Sequence, residues 1–446
     1  MAVIGAGPGG YSAALRGAAL GLSVVIVEKT HIGGSCLNVG CVPAKSWVAA
    51  AETVDFAKHM ASLAVEPFSY AVDFPKMAAR QREIVSMFRK SVTTALEKRN
   101  VRIVRGSASF TSPNTIAVDG VGEIGFKNAL IATGSEPIRI FDLDPGVLLD
   151  NTNFFDLQSA PKSLLIIGAG AIGCEMAGVF SRLGAAVTLV EMTPSILPME
   201  DSEVADTLAR EFRKRKINVI TGVKVESLVK TDDGAVATLS NGTTITAEKV
   251  LVSAGRRFAT SSLGLEKAGV KTGARGEILT DGHCRTSAQN IFAAGDVAGK
   301  YLLAYTAGSE GIKVAETIAG KNHALVEHIV PSVVFTIPEI GSVGVTERAA
   351  PECYKKGAFL FRALARAHAA GEIAGFVKII ADGATDKILG VHIIGPRATD
   401  MIHVASVAIA AGMTAERFGS LMFAHPTFAE ALMEAAHDVH GASVHK

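Results

Sequence analysis

An internal repeat narrows the possible folds before any single motif is weighed. Residues 4 to 28 read Ile4-Gly5-Ala6-Gly7-Pro8-Gly9-Gly10, a helical stretch, Gly21, and Val24-Val25-Ile26-Val27-Glu28. Residues 167 to 191 read Ile167-Gly168-Ala169-Gly170-Ala171-Ile172-Gly173, a helical stretch, Gly184, and Val187-Thr188-Leu189-Val190-Glu191. Gly5 and Gly168, Gly21 and Gly184, and Glu28 and Glu191 each lie 163 positions apart, so the copies superpose without a gap. Each copy reads as strand, glycine turn, helix and strand, which predicts an α/β chain with two Rossmann-like dinucleotide domains.

The spacing has a physical reason. In each copy the first glycine (Gly5, Gly168) makes the tight turn, and the second (Gly7, Gly170) lets the backbone approach a pyrophosphate. The third (Gly10, Gly173) lets the helix pack closely on the strand, and the phosphates then sit over the free N–H groups of the helix N-terminus. Glu28 and Glu191 end the next strands, placed to accept hydrogen bonds from a ribose. The Glu191 carboxylate suits a free 2′-hydroxyl and repels a 2′-phosphate, and Met192-Thr193-Pro194-Ser195 supplies no arginine, so NAD is favoured over NADP. Ala129-Leu130-Ile131-Ala132-Thr133-Gly134 and Asn290-Ile291-Phe292-Ala293-Ala294-Gly295-Asp296 read as further short strands of the first nucleotide domain, each ending in a glycine turn.

Composition excludes several classes. With 44 basic and 43 acidic residues among 446, the chain has no basic field to draw nucleic acid. Five cysteines are too few for a secreted disulfide scaffold. No stretch reaches the roughly 18 apolar residues of a membrane span. The segment Met401 to Met413 is interrupted by His403 and Ser406 and reads as a buried helix. Met1 opens directly onto Ala2-Val3-Ile4-Gly5 without a basic region, so a reducing cytoplasm is expected.

Cys36 and Cys41 lie eight residues beyond Glu28, within Gly33-Gly34-Ser35-Cys36-Leu37-Asn38-Val39-Gly40-Cys41-Val42-Pro43-Ala44-Lys45. In a regular helix, residues five apart have Cα atoms on the order of 8 to 9 Å apart, too far for a disulfide. They can bridge only if the backbone leaves the helix between them, as Asn38 and Gly40 permit. Pro43 suits a first helical turn, leaving Cys41 at a helix N-terminus with Lys45 on the same face, a setting in which a thiol ionises. A zinc site would need two further ligands, whereas two merely packed thiols is the plainer alternative to a redox disulfide. Cys174, Cys284 and Cys353 are isolated and read as packed.

Near the C-terminus stands Phe423-Ala424-His425-Pro426-Thr427-Phe428-Ala429-Glu430, ahead of a helical run from Ala431 to Val439. Thr427 and Glu430 have the spacing of a capping box. Glu430 equally has the spacing to orient His425, and a carboxylate-oriented histidine can take protons from thiols. Both readings stand on spacing alone. The other eleven histidines, including His437, His440 and His445, read as solvated surface.

Taken in order, these segments resemble the FAD-dependent pyridine nucleotide-disulfide oxidoreductases over essentially the whole chain. The resemblance implies FAD-binding segments at 1–146 and 259–328, an NAD-binding domain at 147–258 and a C-terminal α+β dimerisation domain at 329–446. It implies that Gly5, Gly7, Gly10, Glu28 and Asp296 bind FAD and that Gly168, Gly170, Gly173 and Glu191 bind NAD. Thr133, Gly134, Gly295 and Gly255 join the cofactor-binding positions. Lys45 would lie near the flavin, paired with Glu175. Cys36 would be the interchange thiol and Cys41 the thiol facing the flavin, and they would form a redox disulfide. His425 and Glu430 would reach the active site of the other subunit of a homodimer. Within the family the motifs look most like the members that reoxidise dihydrolipoyl groups, whose partners are the lipoyl domains of 2-oxoacid dehydrogenase and glycine cleavage complexes. Other disulfide or metal-ion reductases of the family are the alternative. Mercuric reductases carry a C-terminal cysteine pair, and the last cysteine here is Cys353. Glutathione-type reductases usually have an aromatic residue where Ala171 stands, and basic residues for NADP.

Overall fold

The computed structural model describes residues 1–66, 69–321 and 329–446. The domain boundary expected at 328 abuts residues 322–328, which lie outside the described residues.

The repeat is realised to the residue. The strand Ala2–Ile4 runs into helix α1, Pro8–Ala19, and then into the strand Val25–Glu28. Its counterpart is Ser163–Ile167, a helix Ala171–Arg182 and Ala186–Glu191, the two helices being offset by the same 163 positions end to end. The strands pair in parallel, Ala2 opposite Val25 and Leu164 opposite Val187. Leu164 to Ile167 are all buried, as a strand covered on both faces requires.

The structure extends the repeat beyond what the sequence pattern reaches. The next strand of each sheet, Arg102–Arg105 or Asn218–Thr221, leads into a three-stranded antiparallel meander and back to a parallel strand, Ala129–Ile131 or Lys249–Val252. Ile291–Ala293 completes the first sheet beside Ala129–Ile131. In both sheets the strand feeding the glycine turn lies between neighbours reached in opposite directions, the switch point where ligands bind.

The units differ in what separates their second and third strands. In the second unit a single helix, Ser202–Lys214, fills the gap. In the first unit the gap holds α2 (Gly34–Val39), α3 (Cys41–His59) and α4 (Phe74–Glu97), so the cysteine pair arrives as an insertion into the repeat. Asp73 caps α4 by accepting the Lys76 amide at 3.1 Å. Trp47, on α3, is fully buried. Its ring centroid lies 5.5 Å from Phe74, 5.6 Å from Phe154, 5.0 Å from Phe155 and 5.7 Å from Phe180. Since Phe180 belongs to the second glycine helix, hereafter α5 (Ala171–Arg182), this cluster fixes the cysteine helix against the second unit.

The C-terminal part is a five-stranded antiparallel sheet, ordered Ser332–Val334, Glu339–Gly344, Ile388–Gly395, Phe376–Asp382 and Tyr354–Leu360. The helices Ala398–Ala410 and Glu430–Asp438 pack on it. Two sequence readings are corrected here. The helix through Met401 is buried on one face only: Met401, Ile402, Ala405 and Ala408 enter the core, whereas Val404 and Val407 stay exposed. His392 is no surface residue, being 1% exposed within a strand covered on both faces. Its Nε2 lies 2.8 Å from the Val345 carbonyl, and burial lowers its pKa. His440 and His445 are exposed, as expected, and each also pairs with a carboxylate, at 3.0 Å from Asp386 and 2.6 Å from Glu434. No described helix is long and apolar enough to cross a membrane.

Candidate active site

The glycine turns show which of their positions the fold itself requires. A Cβ at Gly5 would lie 2.4 Å from the Ala132 carbonyl oxygen, and one at Gly10 would lie 1.9 Å from that of Gly5. The same clashes recur at Gly168, 2.6 Å from the Ser253 oxygen, and at Gly173, 2.0 Å from the Gly168 oxygen. The middle glycines are different. A Cβ on Gly7 would meet nothing closer than 3.8 Å, and one on Gly170 would meet nothing within 4 Å. Neither α1 nor α5 has a side-chain cap at its N-terminus. Open space over uncapped N–H groups is what a pyrophosphate requires, so both turns fit a dinucleotide. Gly170→Ala is therefore expected to leave thermal stability within about 1 kcal/mol and to raise the KM for NAD about tenfold or more. Gly173→Ala is expected to cost several kcal/mol, about 4 or more, and to prevent stable folding. Thermal unfolding and nucleotide titration of the two variants check this contrast.

Glu28 and Glu191 hold their own turns. Glu28 accepts the Ala6 amide at 2.7 Å and the Thr30 amide at 2.8 Å. Glu191 accepts the Ala169 amide at 2.8 Å and the Thr193 amide at 2.9 Å, the same contacts one repeat later. Oε1 of each also accepts the hydroxyl of Thr30 or Thr193, at 3.0 and 2.9 Å, which leaves Oε2, with one partner, a lone pair for a ribose hydroxyl.

The cysteine pair sits at the expected break. Gly40 separates α2 from α3, and a Cβ there would lie 2.9 Å from the Ser35 carbonyl oxygen. Cys41 is the first residue of the 19-residue α3, where unpaired N–H groups favour a thiolate. Both cysteines are thiols in this structure, and Cys41 is exposed in the single chain. The Cys36 thiol donates to the Cys41 sulfur, which pushes Cys36 well up and draws Cys41 down to about 7; Lys45 adds to the lowering while burial opposes it. When the pair loses one proton, the charge therefore falls on Cys41 and the remaining proton stays with Cys36.

Lys45 Nζ donates to both carboxylate oxygens of Glu175, at 2.8 and 2.7 Å. Glu175 is only 5% exposed and accepts the Phe335 amide at 3.0 Å, so its orientation is fixed by α5 and by the C-terminal part together. The Lys45 ammonium also stands over the Phe335 ring at 4.5 Å. At the end of the Ile291–Ala293 strand, Asp296 accepts the Ser135 hydroxyl, which in turn accepts from Arg256 Nε at 2.6 Å. Thr133 Oγ1 donates to the Ala259 carbonyl at 2.8 Å, and Gly134, Gly255 and Gly295 adopt positive φ at the turns beside it. Ser135, Asn151, Arg256 and Phe335 carried no sequence signal, although Arg256 adjoins Gly255.

His425 Nδ1 lies 2.8 Å from Glu430 Oε1, while Glu430 Oε2 accepts the Thr427 amide at 2.7 Å. The two readings of this segment thus combine, with a correction. Thr427 Oγ1 donates to the Ala424 carbonyl instead of capping the helix, so only half of the capping box forms. His425 is 72% exposed in the single chain. Among the described residues no three His, Cys, Asp or Glu side chains gather as a metal site would need.

Residues 1–311 match the family described as pyridine nucleotide-disulphide oxidoreductase, and residues 330–436 match its dimerisation domain. The chain belongs to this family. A dihydrolipoyl dehydrogenase of Thermus scotoductus is 41% identical over 100% of this chain and 98% of its own length. One of Geobacillus stearothermophilus is 40% identical over 99% of this chain and 96% of its own. Among solved structures, LpdA of Mycobacterium tuberculosis superposes with a TM-score of 0.89 at 27% identity, and the HOCl-induced flavoprotein disulfide reductase RclA of Escherichia coli with 0.88 at 27%, each covering 98% of both chains. The protein is thus a flavoprotein disulfide oxidoreductase whose family uses FAD and NAD.

Proposed function

We propose that the protein oxidises the dihydrolipoyl groups of lipoyl domains to lipoyl and passes the electron pair to NAD. The observation that carries this reading is the Cys36–Cys41 pair, with one lowered thiol beside the ion pair between half-buried Lys45 and buried Glu175. The full-length similarity to dihydrolipoyl dehydrogenases supports it. The first glycine turn, with Glu28 and Asp296, takes FAD, and the second, with Glu191, takes NAD. Residues 1–146 and 259–328 form the flavin domain, 147–258 the NAD domain and 329–446 the interface domain. The reducing cytoplasm is its compartment.

The chemistry assigned to this chain's residues balances as a thiol–disulfide exchange. His425 of one copy, held by Glu430, takes the proton of a substrate thiol. The resulting thiolate attacks Sγ of Cys36 in the Cys36–Cys41 disulfide of the other copy, breaking that bond and releasing Cys41 as a thiolate. The second substrate sulfur displaces Cys36, closing the lipoyl disulfide. Its proton remains with Cys36, which donates to Cys41, the arrangement that the free thiols adopt here. Lys45 holds the Cys41 charge in place, and Glu175 holds Lys45. Bound FAD supplies acceptance of that electron pair and its delivery as hydride to the nicotinamide.

Side-by-side turnover tests the reading, with dihydrolipoamide and NAD, with glutathione disulfide, and with Hg(II), the reductions run with NADH and with NADPH. Dihydrolipoamide with NAD is expected to have the highest kcat/KM by at least about 100-fold, the loss typical of a site presented with the wrong group. Faster reduction of glutathione disulfide or of Hg(II) overturns it.

A further inference from the structure

Behind the second glycine turn lies a small cleft, lined by Ile172, Val252, Ser253 and Gly255 together with Asn151 and Arg256. Ile172 is in the first turn of α5 and Val252 ends the neighbouring strand, so this is the space into which a dinucleotide on that turn extends. Of its polar side chains, Ser253 is held by the carbonyls of the glycine turn, whereas Arg256 and Asn151 reach away from it. Arg256 donates from Nε to the Ser135 hydroxyl at 2.6 Å and from Nη2 to the Ser135 carbonyl at 2.7 Å, and that hydroxyl donates to Asp296. Arg256 Nη1 donates to Asn151 Oδ1 at 3.3 Å. Asn151 Nδ2 donates in turn to the carbonyl of Val39, also at 3.3 Å. Val39 is the last residue of α2, and only Gly40 separates it from Cys41.

We propose that Asn151 is a positioning residue that transmits occupancy of this cleft to the Cys36–Cys41 bend. The Arg256–Ser135 contacts are short, whereas both contacts of Asn151 are at the long end of hydrogen-bond range. Asn151 is therefore the soft link in a chain from Asp296 to the cysteine helix. A ribose or phosphate oxygen entering the cleft is a better acceptor for the Arg256 guanidinium than a neutral amide oxygen. Once Arg256 turns to it, Asn151 loses its anchor and the Val39 carbonyl loses its donor. The bend between the thiols then loosens, and Cys36 becomes more available. Binding of NAD thus changes thiol reactivity through two hydrogen bonds and without contact between nucleotide and sulfur.

This inference rests on the reading that the second glycine turn takes NAD, and the test separates the two. Dithiol-reduced holoenzyme is treated with iodoacetamide, and alkylation of Cys36 is followed by peptide mass spectrometry. The reaction is run with and without an NAD analogue whose pyridine ring cannot accept hydride. Binding of the analogue is measured separately by calorimetry. In the parent protein the analogue is expected to accelerate alkylation about fivefold, the value of one hydrogen bond. In Asn151→Ala the rate is expected to be raised to that level already, and the analogue, still binding, adds nothing. Asn151→Asp, which keeps an acceptor for Arg256 but has no donor for Val39, is expected to behave like Asn151→Ala and guards against a folding defect in either. An analogue that binds without changing the parent rate, or that accelerates the variants as much as the parent, overturns the proposal. Failure of the analogue to bind the parent protein overturns the NAD reading and this proposal with it.

Discussion

Cys41→Ser is expected to lower dihydrolipoamide turnover by on the order of 10⁴-fold or more, while FAD stays bound. Cys41 is where the negative charge of the reduced pair resides, because Cys36 donates to it and Lys45 lies on the same helical face. Serine keeps the size and the hydrogen bond but has no thiol to form the disulfide or to carry the charge at neutral pH. The loss should be confined to the thiol branch. Reduction of the bound flavin by NADH, read from its absorbance, is expected to stay within about threefold of the parent, the additive behaviour of sites that do not share a partner. Loss of both reactions together would mean that the substitution had disturbed the flavin site as a whole.

The second large effect is expected at His425. Replacing it by Gln should slow the dithiol half-reaction by about 10²- to 10⁴-fold, the range for loss of a general base. Oxidation of the reduced flavin by NAD should change little. Glutamine retains a polar contact for Glu430, so the helix Glu430–Asp438 and its Thr427 contact should persist. Stopped-flow measurement of the half-reactions checks the split, and equal slowing of both removes the assigned role. Because His425 is exposed in the single chain and the chain carries the family's dimerisation domain, the defect should be complemented in mixed dimers. A heterodimer of Cys41→Ser and His425→Gln chains is expected to regain one working site.

The parts legible in the sequence are those set by local backbone geometry. The glycine turns could be placed to the residue because Gly5, Gly10 and their counterparts have no room for a Cβ. The bend at Gly40 was legible for the same reason. Residues that act across the fold were not legible. Asn151, Ser135 and Arg256 lie in separate segments, and only the assembled units bring them into one hydrogen-bonded chain. The repeat itself concealed the extent of the likeness, since the insertion carrying α2, α3 and α4 destroys the fixed offset while the strand order continues unchanged. Residue type misled at His392, where a polar side chain suggested surface, but its strand is covered on both faces and the ring is held by a backbone carbonyl. The helix through Met401 misled in the other direction, since hydrophobic content alone does not distinguish a core face from a face left open by a single chain.

The claim at the centre of this account is that electrons from a dithiol pass through Cys41 to the flavin, and the most direct measurement reduces the purified holoenzyme anaerobically with dihydrolipoamide while its visible spectrum is followed against pH. With the Cys41 thiol drawn down to about 7, from the ordinary value of 9.0, the thiolate is present above that pH and protonated below it. The account predicts a long-wavelength thiolate-to-flavin band that grows in as pH rises through about 7 and is absent from Cys41→Ser. A reduced holoenzyme that shows no such band at any pH, or an undiminished band in Cys41→Ser, would contradict it.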